Sequence, residues 1–179
     1  MKSLLLLAAL TGTARAELAA GGELEVIPNG NLVAGQDTSL AVATTVAFAG
    51  LLGVRTPVFS IGFAPRYVPS MHAMLDAADT FSQLDIGIQL AAHVAVDPKV
   101  ELFAFATPAY SFIYDNRDGS SGLAVAFGGG AGYAIAPRLL LAATLGYDFG
   151  MQTTNEGATA ATRLLTLGIG VQFVPSEAR

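Results

Sequence analysis

Apolar and polar residues alternate along the second half of this chain with a period of two. From Leu84 onward, Leu84, Ile86, Ile88, Leu90, Val94 and Val96 fall on one face, and Asp85, Gly87, Gln89, Ala91, His93 and Ala95 on the other. Leu123, Val125, Phe127, Ala131, Tyr133 and Ile135 alternate in the same way with Ala124, Ala126, Gly128, Gly130, Gly132 and Ala134. Segments 139–149 and 165–173 repeat the pattern. Successive side chains leave a pleated strand on opposite sides, so this period predicts strands. One face is large and aliphatic, the other small or mildly polar, and neither carries the charge of a water-facing surface. The pattern predicts an all-β fold, an up-and-down antiparallel transmembrane β-barrel.

About eight strands follow, at 22–33, 38–50, 56–67, 82–96, 100–114, 122–135, 138–150 and 163–174. Pro28 and the Asn29-Gly30-Asn31 cluster interrupt the first, as at a bulge, an edge or a turn. Tight connections at 50–56, 97–99 and 136–137 alternate with longer polar ones at 68–81, 115–121 and 151–162. Outer-membrane barrels have short periplasmic turns, longer external loops and both termini in the periplasm, and the alternation has that phase. In the first long loop, Ser70 is placed to cap a short helical turn, with Met71, Met74, Leu75 and Ala78 on one side. Aromatic rings favour the headgroup level. Tyr67, Phe81, Tyr110, Phe112, Tyr114, Tyr147 and Phe149 are expected at the outer rim, and Phe48, Phe59, Tyr133 and Phe173 at the inner one.

Composition sharpens this picture. The start, MKSLLLLAALTGTARA, has a basic residue, a short apolar core and a small-x-small site. It reads as a signal peptide over residues 1–16, too short to span a bilayer, followed by one barrel domain at 17–179. Without residues 1–16, seven basic residues remain against fourteen acidic, which gives no footprint for nucleic acid. Mean hydropathy is +0.54 with no long apolar helix after the signal. A closed sheet resolves that tension, since it leaves no backbone group unpaired in lipid. Cysteine is absent, which excludes disulfides and a thiol nucleophile.

At this point the chain resembles the small outer-membrane β-barrel proteins, the group of the OmpX/Ail-like proteins and the OmpA transmembrane domain. The likeness rests on the signal, the dyad repeat, the loop alternation and the last strand, LLTLGIGVQF. Leu165, Leu167, Ile169, Val171 and Phe173 match that family's final strand, apolar at alternate positions and ending in an aromatic. The resemblance implies the bacterial outer membrane, contact with its lipid, and insertion by the barrel-assembly machinery. The tail VPSEAR departs from it, where many members stop at the aromatic. No catalytic residue carries over.

Candidate chemistry lies on the inward face. Asp85, Gln89 and His93 share one strand at spacing four, and Arg66, Glu101, Thr144, Asp148, Thr166 and Gln172 are further inward groups. Asp85 and Asp148 fall near the level of Arg66. Buried charges must pair, so a plug of ion pairs and hydrogen bonds is expected, with a polar pathway as the alternative. A lone lumen histidine is a poor metal site, and no metal or other cofactor is expected. His72 and Asp76 would be i, i+4 neighbours on a helix. The histidines sit in MHAM and AHVA, no GxSxG occurs, and catalysis would need a site assembled from distant strands. AFGGGAGYA lacks the Lys-Ser/Thr of a phosphate loop, and DNRDGSSG reads as a solvated turn. The functional expectation is a monomeric, non-catalytic barrel with a structural or surface-interaction role. A small pore is the alternative. A soluble secreted barrel with aliphatics inside and an apolar ligand is a third reading.

The last strand generates a test. Phe173→Ala is expected to lower the amount of folded barrel in cells, and deletion of 174–179 to do little, because Pro175 cannot continue the ladder. Heat-modifiable gel mobility separates folded from unfolded protein. A folded band lost on tail deletion but kept in Phe173→Ala would reverse the assignment.

Overall fold

The computed structural model describes residues 16–34, 38–73, 76–114, 119–154, 157 and 159–174. The proposed signal peptide, apart from Ala16, lies outside them. Eight antiparallel strands close on themselves: β1 (Glu17–Ala34), β2 in two segments (Thr38–Val42 and Thr45–Arg55), β3 (Phe59–Ala73), β4 (Asp76–Asp97), β5 (Val100–Tyr114), β6 (Gly119–Ala136), β7 (Leu139–Thr154) and β8 (Thr159–Phe173). Each strand pairs with its chain neighbours, and β1 also pairs with β8 from Ala20↔Phe173 to Ala34↔Ala160. That last ladder removes both sheet edges. The end carrying residues 17 and 173 is the inner end in this fold, the opposite one the outer end.

The faces fall as the alternation predicts. Ile86, Ile88, Leu90, Leu102, Leu123, Leu145, Ile169 and Val171 stand exposed on the outside, and Arg66, Asp85, His93, Glu101 and Asp148 are buried within. A soluble barrel with its aliphatics inside is therefore not this molecule. A continuous apolar wall of this kind, with every strand paired, is a bilayer-facing surface. Inner turns are closed locally. The Lys99 amide donates to Asp97 Oδ1 at 2.8 Å beside Pro98, and the Phe59 amide donates to Thr56 Oγ1 at 3.1 Å.

Three expectations change. Among the described residues, the segment after Ser70 is strand and shows no helical turn: Met71 pairs with Phe81 and His72 with Thr80 in the β3–β4 ladder. A bulge between Val68 and Met71 puts both side chains inward. Met74 and Leu75 lie outside the described residues. His72 meets Ser70 Oγ at 2.9 Å and Thr80 Oγ1 at 3.3 Å across the hairpin, whereas Asp76 is opposite Ala73. Secondly, the longer outer connections shrink, because β3, β4, β6, β7 and β8 carry their ladders into the polar segments. Thr153 and Thr159 there face water and Gln152 and Thr162 turn inward, while the backbone stays paired.

Thirdly, β1 starts at Glu17 rather than at 22, and it runs on through Pro28 by a bulge between Val26 and Asn29. Opposite the bulge, β2 breaks at Ala43 and Thr44. Thr44 Oγ1 donates to the Pro28 carbonyl at 3.0 Å, and the Ala43 amide to the His72 carbonyl at 2.9 Å. Thr45 Oγ1 donates to the Ser70 carbonyl. Side chains and a displaced amide thus replace the ladder bonds that proline and the bulge remove.

Two aromatic placements also shift. Phe48 is cross-strand to Tyr67 and belongs at that level, while Phe81 packs inward on Ile27, Val68 and Leu164. Tyr110, Phe112 and Tyr114 form the clearest rim group, with centroids 5.0 and 6.3 Å apart along the row. Val174 is buried against Leu140, and its amide donates to the Arg138 carbonyl at 2.9 Å. The tail expected to be dispensable therefore begins at Pro175, one residue later than the sequence suggests.

The face assignment is measurable. Ile88→Arg puts a charge in the lipid-facing wall and should destabilise by ~2–4 kcal/mol, whereas Gln89→Arg points into the lumen and should cost less. Urea titration in lipid vesicles compares them. Equal losses would contradict the assignment.

Candidate functional site

An eight-stranded barrel has an interior that side chains can nearly fill. Here the filling is layered. At the outer end, Ile27, Val42, Val68, Met71 and Leu164 form a buried apolar cluster, joined by Leu32 and Phe81. Beside it, Gln152 Nε2 lies 3.3 Å from Ser111 Oγ and 3.4 Å from Thr162 Oγ1.

Next comes a charged hub. Arg66 on β3 donates through Nε to Glu25 Oε2 on β1 at 2.7 Å and through Nη1 to Asp85 Oδ2 on β4 at 3.1 Å. Asp148 Oδ2, from β7 across the lumen, is 3.7 Å from the same Nη1. Gln83 Nε2 donates to both oxygens of Asp85 at 2.9 Å. Four strands are tied through one guanidinium, whose planar fork offers five donors in fixed directions. Asp148 Oδ1 and Arg66 Nη2 are buried without a protein partner.

A cavity of about 80 Å³ runs along the lumen below the hub, lined by Glu23, Gln89, Phe103, Phe105, Thr166 and Gln172 among others. Thr144 Oγ1 donates to Glu23 Oε1, and Gly168 leaves the space in which those two side chains meet. Phe103 folds over Gly130, where a Cβ would fall 2.6 Å from its Cζ. The inward glycines thus make room for rings from the neighbouring strand. A third layer closes the inner end. Arg55 Nη2 donates to Glu101 Oε2, Ser60 Oγ is 2.9 Å from His93 Nε2, and His93 Nδ1 is 3.6 Å from Glu101 Oε1. Arg55, Ser60, His93 and Glu101 are all buried.

The structure brings Arg66, Asp85 and Asp148 together, and His93 with Glu101. It does not unite Asp85, Gln89 and His93, since eight residues of strand separate the first from the last by ~26 Å. Gln89, Thr166 and Gln172 line the cavity without a described side-chain bond. Glu23, Glu25, Arg55, Ser60 and Gln83 are partners that the sequence reading overlooked. Phase alone would have found four of them. Glu23 and Glu25 alternate with Leu24 and Val26, Ser60 with Phe59 and Ile61, and Gln83 is in phase with Asp85. Arg55 was assigned to a turn, although the strand extends to include it. Among the described residues, no three His, Asp or Glu side chains are arranged to hold a metal ion.

The lumen therefore holds five carboxylates, at Glu23, Glu25, Asp85, Glu101 and Asp148, against the guanidiniums of Arg55 and Arg66.

No protein-family model matches the chain, and no curated protein matches its sequence. Solved structures do match. Neisserial surface protein A superposes with a TM-score of 0.65 at 13% identity, covering 89% of this chain and 98% of that one. The outer membrane protein OprG from Pseudomonas aeruginosa gives 0.60 at 10% identity, over 92% and 99%. Ail, the attachment invasion locus protein of Yersinia pestis, gives 0.51 at 10% identity, over 89% and 100%. The fold is thus that of the small outer-membrane barrels. Matching structures also include the outer-membrane protease OmpT from Escherichia coli, so the fold by itself assigns no activity and excludes none.

Removing one partner from a buried ionic cluster leaves uncompensated charge and typically costs ~3–5 kcal/mol. Arg66→Met should lower stability in vesicles by that order, and more than Glu25→Gln, which leaves Arg66 two carboxylates. Urea unfolding reads both. An Arg66→Met variant as stable as the native barrel would show that the hub does not hold the strands.

Proposed function

We propose that the chain is a closed, monomeric barrel of the bacterial outer membrane with a structural or surface-interaction role. The observation that carries this reading is the filling of the lumen at both ends. Ile27, Val68 and Leu164 have no exposed surface at the outer end, and Arg55 is 2% exposed at the inner one. Glycine and alanine on the inward face would favour a pore if the space stayed open, but Phe103 and Phe105 occupy it.

The aliphatic wall supports anchoring in lipid, and the low-identity likeness to outer-membrane barrels supports the compartment. In this reading residues 1–16 direct export and are removed. Leu167, Ile169, Val171 and Phe173 stand exposed on the last strand, with Leu165 half-buried beside them, and serve as the signal read by the barrel-assembly machinery. The β1–β8 ladder leaves no open edge for a second copy, which favours a monomer. Asn31, Ser39, Thr153 and Thr159 are exposed polar residues on the outer hairpins, the surface that an external partner would meet. Such a role calls for no catalysis.

Planar-bilayer recording tests closure. The purified barrel should give no steady unitary current. Reproducible single-channel openings would replace this reading with the small pore.

A further inference from the structure

The innermost layer of the lumen contains more than an ion pair. Ser60 on β3, His93 on β4 and Glu101 on β5 come from three consecutive strands, and the ladders bring them into one line. Ser60 Oγ meets His93 Nε2 at 2.9 Å, and the other ring nitrogen, Nδ1, faces Glu101 Oε1 at 3.6 Å. This is the order that nucleophilic catalysis needs, hydroxyl, imidazole, carboxylate; the first contact is a hydrogen bond, whereas His93 Nδ1 and Glu101 Oε1 are buried side by side without a hydrogen-bond partner. Such contacts commonly tighten only with substrate bound.

Two further features match. Arg55 is the direct cross-strand neighbour of Ser60, and its Nε and Nη1 are buried without a protein partner while Nη2 holds Glu101. Those N–H groups are donors for negative charge that develops on an oxygen next to Ser60. His93 also lines two spaces. One is the lumen cavity that Ser60 shares. The other is an open, largely apolar pocket of about 480 Å³ at the inner mouth, lined by Val58, Val94, Val100 and Leu140 with Asp97 and Lys99 at the turn; it reaches His93 and Glu101 from the side opposite Ser60's cavity. An apolar pocket at a membrane rim suits an acyl chain.

We propose that Ser60, His93, Glu101 and Arg55 form an acyl-transfer site for a carboxylic ester with an apolar acyl chain, entered from the inner mouth. Ser60 Oγ adds to the ester carbonyl as its proton passes to His93 Nε2. Arg55 stabilises the oxyanion. The carbon–oxygen bond to the alcohol then breaks, and the alcohol leaves with the proton from His93. Water adds next, His93 taking its proton and returning it to Ser60 Oγ as the carboxylic acid departs. Glu101 holds the ring with Nδ1–H towards itself, so that Nε2 is free to accept.

A buried polar cluster with a purely structural role would not react with an electrophile aimed at activated serines. The folded full-length protein in detergent should therefore form a single covalent adduct with an alkyl fluorophosphonate, located at Ser60 by peptide mass spectrometry. Ser60→Ala should abolish it. His93→Gln or Glu101→Gln, shown folded by heat-modifiable mobility, should slow it by about a hundredfold or more, the scale of a lost general base. Absence of an adduct on the folded native protein overturns the proposal, as does an adduct that persists in Ser60→Ala. Unchanged labelling in a folded His93→Gln variant overturns it too. None of these outcomes bears on whether the barrel conducts, so the two readings fail separately.

Discussion

Inside a bilayer no water is available to satisfy a peptide group, and the remaining structure depends on that constraint. Strands can cross lipid only if every N–H and C=O is paired with a neighbour, which requires the sheet to close. The ladder from Ala20↔Phe173 to Ala34↔Ala160 provides closure. Where Pro28 and its bulge interrupt the ladder, Thr44, Thr45 and the Ala43 amide take up the exposed carbonyls. The detour is confined to the outer end.

Closure inverts the usual distribution of residues. The aliphatic face turns to lipid, so the small interior receives every side chain that lipid would reject. Eight strands leave an interior that side chains can nearly fill, and charges brought inside must find each other. Arg66 does this for three carboxylates drawn from β1, β4 and β7. Glycine on one strand and aromatic rings on the next share the remaining volume, as at Gly130 and Phe103. The outer cluster of Ile27, Val68 and Leu164 shows that the interior is not uniformly polar.

The same packing explains how a chain without a recognisable catalytic motif can hold a serine–histidine–carboxylate line. In a barrel, side chains from three strands share a level when their registers bring them there, whatever their separation in sequence. Ser60, His93 and Glu101 occupy such a level near the inner mouth, and Arg55 joins them from a fourth strand. The rigid ladders set the distances between these groups.

How much of this was legible in the sequence follows from what local pattern encodes. The period of two fixed which residues face lipid, because strand pleating allows no other arrangement, and Ile88 and Gln89 fall on their expected sides. It also determined the strand count and direction, and it brought Asp85 and Asp148 to the neighbourhood of Arg66. It could not tell a bulge from a helical turn. A cap-like Ser70 followed by Met71 suits either, and only the β3–β4 ladder distinguishes them. Nor could it choose partners across the lumen or the register within a hairpin. Glu25 reaches the Arg66 hub, and Asp148 approaches it from β7, through the stagger and closure of the barrel, while Ser60 meets His93 through the register of the β3–β4 ladder. Pairing between whole strands sets these contacts, so the tertiary structure alone decided them.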